Sequence, residues 1–310
     1  MDKNSPILIV GHNDIIENSL YNYLRSGGYK NVFSSSLIGL DSSIQPSVYH
    51  FFSQYRPEYV FLASTRSGGI EANQKFPAEF IYHNLESQNN IIYSAHKFGT
   101  KKLLYVASSC VYPKDCPQPI KEEYFLTGKV EETSEPYAVS KIAGIMLCQS
   151  FRKQYNFNAI AMIPATVYGP GSDTDSLTSH VMGALIGKFE TALKEGKEKI
   201  VLWGSGSPRR EFIYADDFVK AALFLMDHYS EEKIINVGCG YDITIKELAK
   251  TIAGIVGFKG EIIFDESKSD GVMQKLLDNN RMVTMGWKTS VPLREGIEKT
   301  CQWVREELAV

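Results

Sequence analysis

Ile7-Leu8-Ile9-Val10-Gly11 is the first regular stretch of the chain, and its reading decides the fold. Four consecutive apolar residues that stop at a glycine have the length and pattern of a strand buried on both faces. A helical segment over Ile15 to Leu24 follows, ended by Gly27-Gly28. The same alternation continues outward. Strands are expected at Asn31–Ser34, Tyr59–Ala63, Lys102–Ala107 and Asn158–Ile163, and helices at Val48–Tyr55 and Phe80–Phe98. A further helix begins near Tyr137, with Ser134 and Pro136 ahead of the apolar-periodic run Ile142–Phe151. Strand–helix alternation of this kind predicts an α/β fold with a doubly wound parallel sheet of the Rossmann type. Ligands bind such sheets beyond the carboxyl ends of the strands. Gly11, Ser108–Cys110 and Pro164–Tyr168 all stand at strand ends and should line one crevice.

Beyond about Gly169 the pattern is less regular, with turns at Gly204-Ser205-Gly206-Ser207-Pro208 and Asp265–Gly271. Helices are readable at Val181–Glu195, Asp217–His228 and Ile245–Val256. The expected division is a dinucleotide-binding-type domain over 1–169 and a smaller, mainly substrate-binding lobe over 170–310. Ile200–Trp203 and Ile234–Val237 are strand candidates for a return to the main sheet.

The chain has 310 residues, 44% of them apolar and 22% charged, with a formal net charge of −3. Without a basic excess, nucleic acid is not an expected partner. The apolar run at 7–10 is too short for a signal peptide or a membrane span, and no later run is long enough. Five cysteines, Cys110, Cys116, Cys148, Cys239 and Cys301, are odd in number and lack zinc-site spacing. Free thiols in a reducing cytoplasm fit best.

In Tyr137-Ala138-Val139-Ser140-Lys141, the tyrosine and lysine fall at i and i+4 of a helix. Such a pair is ordinarily a surface pair. An ammonium close to a phenol also favours the phenolate, whose pKa starts near ~10, and makes an acid able to protonate a carbonyl oxygen.

These residues and their surroundings resemble the extended short-chain dehydrogenase/reductase family, within it the branch that epimerises and reduces GDP-4-keto-6-deoxy sugars. The resemblance rests on Ser108-Ser109-Cys110-Val111-Tyr112-Pro113-Lys114, Glu135-Pro136-Tyr137-Ala138, Lys141-Ile142-Ala143-Gly144 and Ser179-His180-Val181. It continues in Trp203-Gly204-Ser205-Gly206, Arg210-Glu211-Phe212, Asp216-Asp217, Ser267 to Gly271 and Lys275-Leu276-Leu277-Asp278, so that it covers roughly residues 60–305. It implies Ser108, Tyr137 and Lys141 as the reductase triad. Ser108 and Tyr137 would act on the C4 carbonyl oxygen, and Lys141 on the phenol and the nicotinamide ribose. Cys110 and His180 match the pair that exchanges protons at C3 and C5. A thiol and an imidazole both titrate within reach of neutral pH, as that chemistry requires. NADP(H) is implied at Gly11, Asn13, Ile16, Val106, Ser109, Lys141, Pro164, Thr166, Val167 and His180. The GDP-4-keto-deoxy-sugar substrate is implied at Lys188, Trp203, Arg210 and Asp270, and a homodimer is implied through helices of the main domain. Trp203 suits a core position as well as a stacking platform, and Arg209 reads as a solvent-facing charge.

The cofactor loop departs from the family pattern GxxGxxG. It reads Gly11-His12-Asn13-Asp14-Ile15-Ile16-Glu17, so Asp14 and Glu17 bring bulk and negative charge where phosphates would sit. The positions that carry arginines for the 2′-phosphate of NADP are Asn13 and Ser34-Ser35-Ser36. No acid closes the second strand to favour NAD. Four readings remain open: an epimerase/reductase, a C4 reductase of another GDP-4-keto sugar such as a deoxyheptose, a redox-inactive 3,5-epimerase, and a non-catalytic sugar-nucleotide-binding protein.

Overall fold

Unbroken apolar runs build the centre of the molecule. A computed structural model describes all residues except 64–65, 175–178, 269 and 308–310. In chain order, β1 (Ile7–Val10), α1 (Ile15–Ser26), β2 (Val32–Ser34), α2 (Gln45–Tyr55) and β3 (Tyr59–Leu62) come first. Helices α3 (Ile70–Lys75) and α4 (Pro77–Lys97) precede β4 (Lys102–Val106), and α5 (Glu135–Tyr155) precedes β5 (Ala159–Pro164) and β6 (Thr166–Tyr168). Then come α6 (Val181–Lys194), β7 (Lys199–Trp203), β8 (Arg209–Arg210), β9 (Phe212–Tyr214) and α7 (Ala215–His228). The last elements are β10 (Ile235–Val237), β11 (Ile243–Thr244), α8 (Ile245–Val256), β12 (Glu261–Asp265), β13 (Gln274–Lys275), α9 (Asn280–Thr284) and α10 (Leu293–Glu307).

Six strands pair in parallel in the order β10-β5-β4-β3-β1-β2. β1, β4 and β5 are buried along their whole length, as their apolar runs require. From β1 the chain goes to β2 on one side and returns to β3 on the other. The order therefore reverses beside β1, and the ligand crevice opens at that point.

Of the two later strand candidates, only Ile235–Val237 joins this sheet. β7 instead pairs with β12, because its exposure alternates along the strand and suits an outer ladder with one wet face. A second apolar core gathers Met182, Ile186 and Phe189 of α6 with Leu248 and Ile252 of α8 and Ile297 of α10.

Residues 274–278 run back across the molecule. Gln118 donates to the Gln274 carbonyl at 3.1 Å and accepts from the Leu276 amide at 2.8 Å. Ile120 accepts from Asp278 and donates to Leu276 through the backbone. The buried Glu211 carboxylate takes the amides of Leu277 and Gly240, each at 2.8 Å.

Candidate active site

The cavity in the crevice has a volume of about 690 Å³. Its walls carry Ser108, Tyr137, Lys141 and His180 of the five expected catalytic residues, and every expected cofactor residue except Gly11. Gly11 lies just beneath, where its amide donates to Ser35 Oγ at 3.0 Å.

Helix α5 is what sets Tyr137 and Lys141. It starts on Glu135 with Pro136 in its first turn, where proline is tolerated, although Ser134, at the cap position, makes no capping hydrogen bond with its side chain. The helix is held down by α4, where Gln88 donates to the Ser140 carbonyl at 2.9 Å and accepts from the Tyr105 hydroxyl at 2.8 Å. Gly144 makes that approach possible: a Cβ there would stand 2.3 Å from the Tyr105 hydroxyl and 2.7 Å from Gln88 Oε1. Lys141 is buried, donates to the Val106 carbonyl at 2.9 Å, and places its ammonium 5.8 Å from the Tyr137 ring centroid. Burial pushes its pKa down to about 8. Tyr137 and Lys141 therefore both line the crevice, rather than forming the surface pair ordinary for their spacing.

Ser108 closes β4 and caps a short turn over Ser109–Val111, accepting from the Cys110 amide at 3.4 Å. Cys110 itself is buried and does not line the cavity wall. Burial raises its pKa, opposed by Lys275, Ser108 and Lys141. His180, at the start of α6, has its pKa lowered chiefly by desolvation, with Asp14 and Asp173 acting the other way. The resting pair is thus a protonated thiol and an uncharged imidazole, one able to give a proton and the other to take one.

Lys188, Trp203, Arg210 and Asp270 lie outside this cavity, in the lobe built on β7, β8 and β13. Lys188 donates to the Val201 carbonyl at 3.0 Å, and its pKa is lowered by desolvation. Trp203 is 49% exposed, with Lys268 Nζ 5.3 Å from its ring centroid, which excludes the core position. Asp270 is fixed by the amide and hydroxyl of Ser205 at 3.0 and 2.6 Å. Burial lowers the pKa of Arg210, and Asp270 opposes the shift. Arg209 faces solvent as expected, its side chain 40% exposed, and is paired with Asp242 at 2.7 Å.

Sequence reasoning missed Lys275. The β8–β13 ladder pairs it directly with Arg210, and its charge acts on both Cys110 and His180. Two adjacent cations suit a diphosphate, the arginine taking two oxygens at once. Trp303 and Glu307 of α10 also reach the cavity wall, a contribution that nothing local in their segment signals.

The cofactor loop is more orderly than its sequence implies. Asp14 caps α1 by accepting from the Glu17 amide at 3.0 Å. Glu17 folds back, is fully buried, and accepts from the Asn13 amide at 2.8 Å. Neither carboxylate takes the amides of Ile15 and Ile16, which line the cavity and can meet a pyrophosphate. Asn13 adopts φ 55°, a left-handed conformation that asparagine tolerates. The residues present therefore fit a nicotinamide dinucleotide. Ile16 and Asn13 would hold its diphosphate end, and Lys141 and Val106 its nicotinamide end.

All five cysteines are free. Among the described residues no cluster could hold a metal ion, and no helix is long and apolar enough to cross a membrane.

A family model for the NAD dependent epimerase/dehydratase family matches residues 7–238. A probable GDP-L-fucose synthase 1 from Oryza sativa subsp. japonica is 44% identical over 99% of this chain and 94% of its own length. The GDP-L-fucose synthase of Escherichia coli (strain K12) is 39% identical over 97% of this chain and 96% of its own length. Among solved structures, a GDP-mannoheptose C4 reductase from Campylobacter jejuni with NADP bound superposes with a TM-score of 0.89 at 34% identity, covering 98% of this chain and 99% of that one.

Proposed function

The chain belongs to the NAD dependent epimerase/dehydratase family, and from that membership we propose that it epimerises a GDP-4-keto-6-deoxy sugar at C3 and C5 and reduces it at C4. The observation that carries this reading is the single cavity lined by Ser108, Tyr137, Lys141 and His180, with Cys110 directly behind Ser108. NADP(H), the dinucleotide bound in the heptose reductase, supplies the hydride when present.

The chain's own residues do the rest. Ser108 and Tyr137 polarise the C4 carbonyl. The same polarisation makes the hydrogens at C3 and C5 acidic and stabilises the enolate left by their removal. Cys110 and His180 move those protons, and Lys275 steadies charge on the thiol side. Once the stereochemistry is set, Tyr137 gives the C4 oxygen its proton beside the Lys141 ammonium. Arg210, Lys275 and Lys188 hold the diphosphate, with Trp203 and Asp270 at the same edge.

Mixing the protein with NADPH and GDP-4-keto-6-deoxymannose in deuterium oxide tests both halves. The expected result is loss of NADPH absorbance together with deuterium at C3 and C5. Deuterium uptake without NADPH loss sinks the reductase, and neither signal sinks both activities. A second reading, C4 reduction of a GDP-4-keto heptose without epimerisation, is favoured by the match to the heptose reductase. It requires NADPH loss with no deuterium uptake. The homodimer would cover Tyr82, Tyr93, Val139 and Met146, which α4 and α5 leave exposed; sedimentation tests it. Five free thiols suit a cytoplasmic setting.

A further inference from the structure

We propose that Glu17 sets the dinucleotide selectivity of this chain: it removes the preference for a 2′-phosphorylated adenosine ribose, so that NADH is held at least as tightly as NADPH. The inference rests on the reductase half of the function above.

In dinucleotide folds the adenosine ribose lies at the end of the second strand. An acid there receives the 2′-hydroxyl, or an arginine there receives a 2′-phosphate. Here β2 ends at Ser34 and runs into Ser35 and Ser36, all three uncharged. The acid that the strand lacks arrives from another element. Glu17, in the first turn of α1, accepts at Oε1 from Ser34 Oγ at 2.8 Å, Ser35 Oγ at 3.0 Å and the Ser36 amide at 3.0 Å. At Oε2 it accepts from the Asn13 amide at 2.8 Å and from Ser36 Oγ. Burial pushes its pKa up, but the hydrogen bonds from Ser36, Asn13 and Ser34 outweigh that, and the carboxylate stays ionised.

Two consequences follow for a ribose at this edge. The first concerns hydrogen bonding. Ser36, the exposed member of the set, already donates its hydroxyl proton to Glu17 and accepts from the Asn13 amide at 2.8 Å. What its oxygen still offers is an acceptor, which matches a 2′-hydroxyl and repels a phosphate oxygen. The second concerns charge. A buried carboxylate sits beneath the serines, Asp14 caps the adjacent helix, and Asp41 acts electrostatically on His12 of the same loop. The cation at this edge is Arg66, which also acts on His12 and Asp41 but is paired with Glu79 at 3.5 Å. A 2′-phosphate would enter a site with negative charge below it and no arginine on β2 to meet it.

The test is direct binding of the full chain to NADH and NADPH, read by nicotinamide fluorescence, and to ADP-ribose and 2′-phospho-ADP-ribose, read by calorimetry. The wild type should bind NADH at least as tightly as NADPH, and ADP-ribose at least as tightly as its 2′-phosphorylated form. Glu17→Gln should tighten NADPH at least fivefold and leave NADH within twofold. Because Glu17 is buried, Ser36→Arg, a surface change, provides an independent arm and should move the ratio toward NADPH at least tenfold. Wild-type binding of NADPH ten times tighter than NADH, abolished by Arg66→Ala, overturns the proposal. A ratio that neither Glu17→Gln nor Ser36→Arg moves also overturns it. NADPH preferred and consumed with the keto sugar refutes the selectivity and leaves the function intact. Tight NADH binding with no ketone reduction does the reverse.

Discussion

Replacing Gly144 by alanine tests whether the packing of α5 against β4 governs the site. Alanine is the better helix former by about 1 kcal/mol, so propensity alone predicts stabilisation. The structure predicts the opposite. The new methyl would stand 2.3 Å from Cζ and the hydroxyl of Tyr105 and 2.7 Å from Gln88 Oε1. An ordinary carbon contact needs about 3.5–4.0 Å, so the ring or the helix has to move by more than an ångström. Tyr105 is fully buried, with its hydroxyl committed to Gln88. Overpacking of this kind costs about 1–3 kcal/mol, and loss of the buried hydrogen bond costs about 1 more. Set against the propensity gain, the net destabilisation is about 1–3 kcal/mol, or roughly 1.5–5 °C in Tm for a chain of this size. Gly254→Ala is the control. It lies on the exposed face of α8 with nothing within 4 Å of a new Cβ, and it should raise Tm slightly. The Tyr105 ring also lies 5.2 Å from the Lys141 ammonium, so ketone reduction should fall with stability at Gly144 and not at Gly254. Equal or higher Tm for Gly144→Ala in a thermal scan would refute this account of how α5 is seated.

Tyr137→Phe keeps the ring that packs edge-on to Phe80 but removes the proton donor. Reduction followed by NADPH absorbance should drop by about 10²–10⁴-fold. Cys110→Ser should block deuterium entry while sparing reduction of an already epimerised ketone, and loss of both steps would break the division of labour between Cys110 and Tyr137. Reduction at saturating substrate should decline as pH rises through about 8, where Lys141 loses its proton; a flat profile from pH 7 to 9 contradicts its role. That decline is distinguishable from unfolding. Lys141 has a lower pKa folded than unfolded, so between about 8 and about 10.4 the unfolded chain binds more protons and native stability rises with pH.

The parts of this protein that were legible in its sequence are those in which local pattern and local structure coincide. β1, β4 and β5 are covered on both faces, so β1 and β5 are uninterrupted apolar runs and β4 is one after Lys102, whose buried ammonium is held by the Leu225 and Met226 carbonyls, and their positions could be read directly. Tyr137 and Lys141 share a helix, and Ser108 and Cys110 share one turn, so spacing alone groups them. The rest depends on contacts between distant segments. Glu17 reads in one dimension as an intruder in a glycine loop. Only the fold shows that it reaches the end of β2 and supplies the acid that strand lacks. Lys275 gains its place by pairing with Arg210 across a two-residue ladder too short to leave a strand signal. Ile200–Trp203 reads as a main-sheet strand because strand periodicity does not say which neighbour it will meet, and here the neighbour is β12.

The return of residues 274–278 to Gln118 and Ile120 has a consequence for how the protein comes into being. Gln118 stands 156 residues ahead of Gln274, a delay of roughly 8–30 s at about 5–20 residues per second of synthesis. From residue 141 onward the nascent chain already contains Ser108, Cys110, Tyr137 and Lys141. It still lacks the amide that Gln118 accepts, the segment that Glu211 anchors, and the Lys275 charge beside Cys110. Full support of the proposed site therefore arrives only with roughly the last eighth of the polypeptide, and a chain that ends between residues 180 and 274 carries all five proposed catalytic side chains without it.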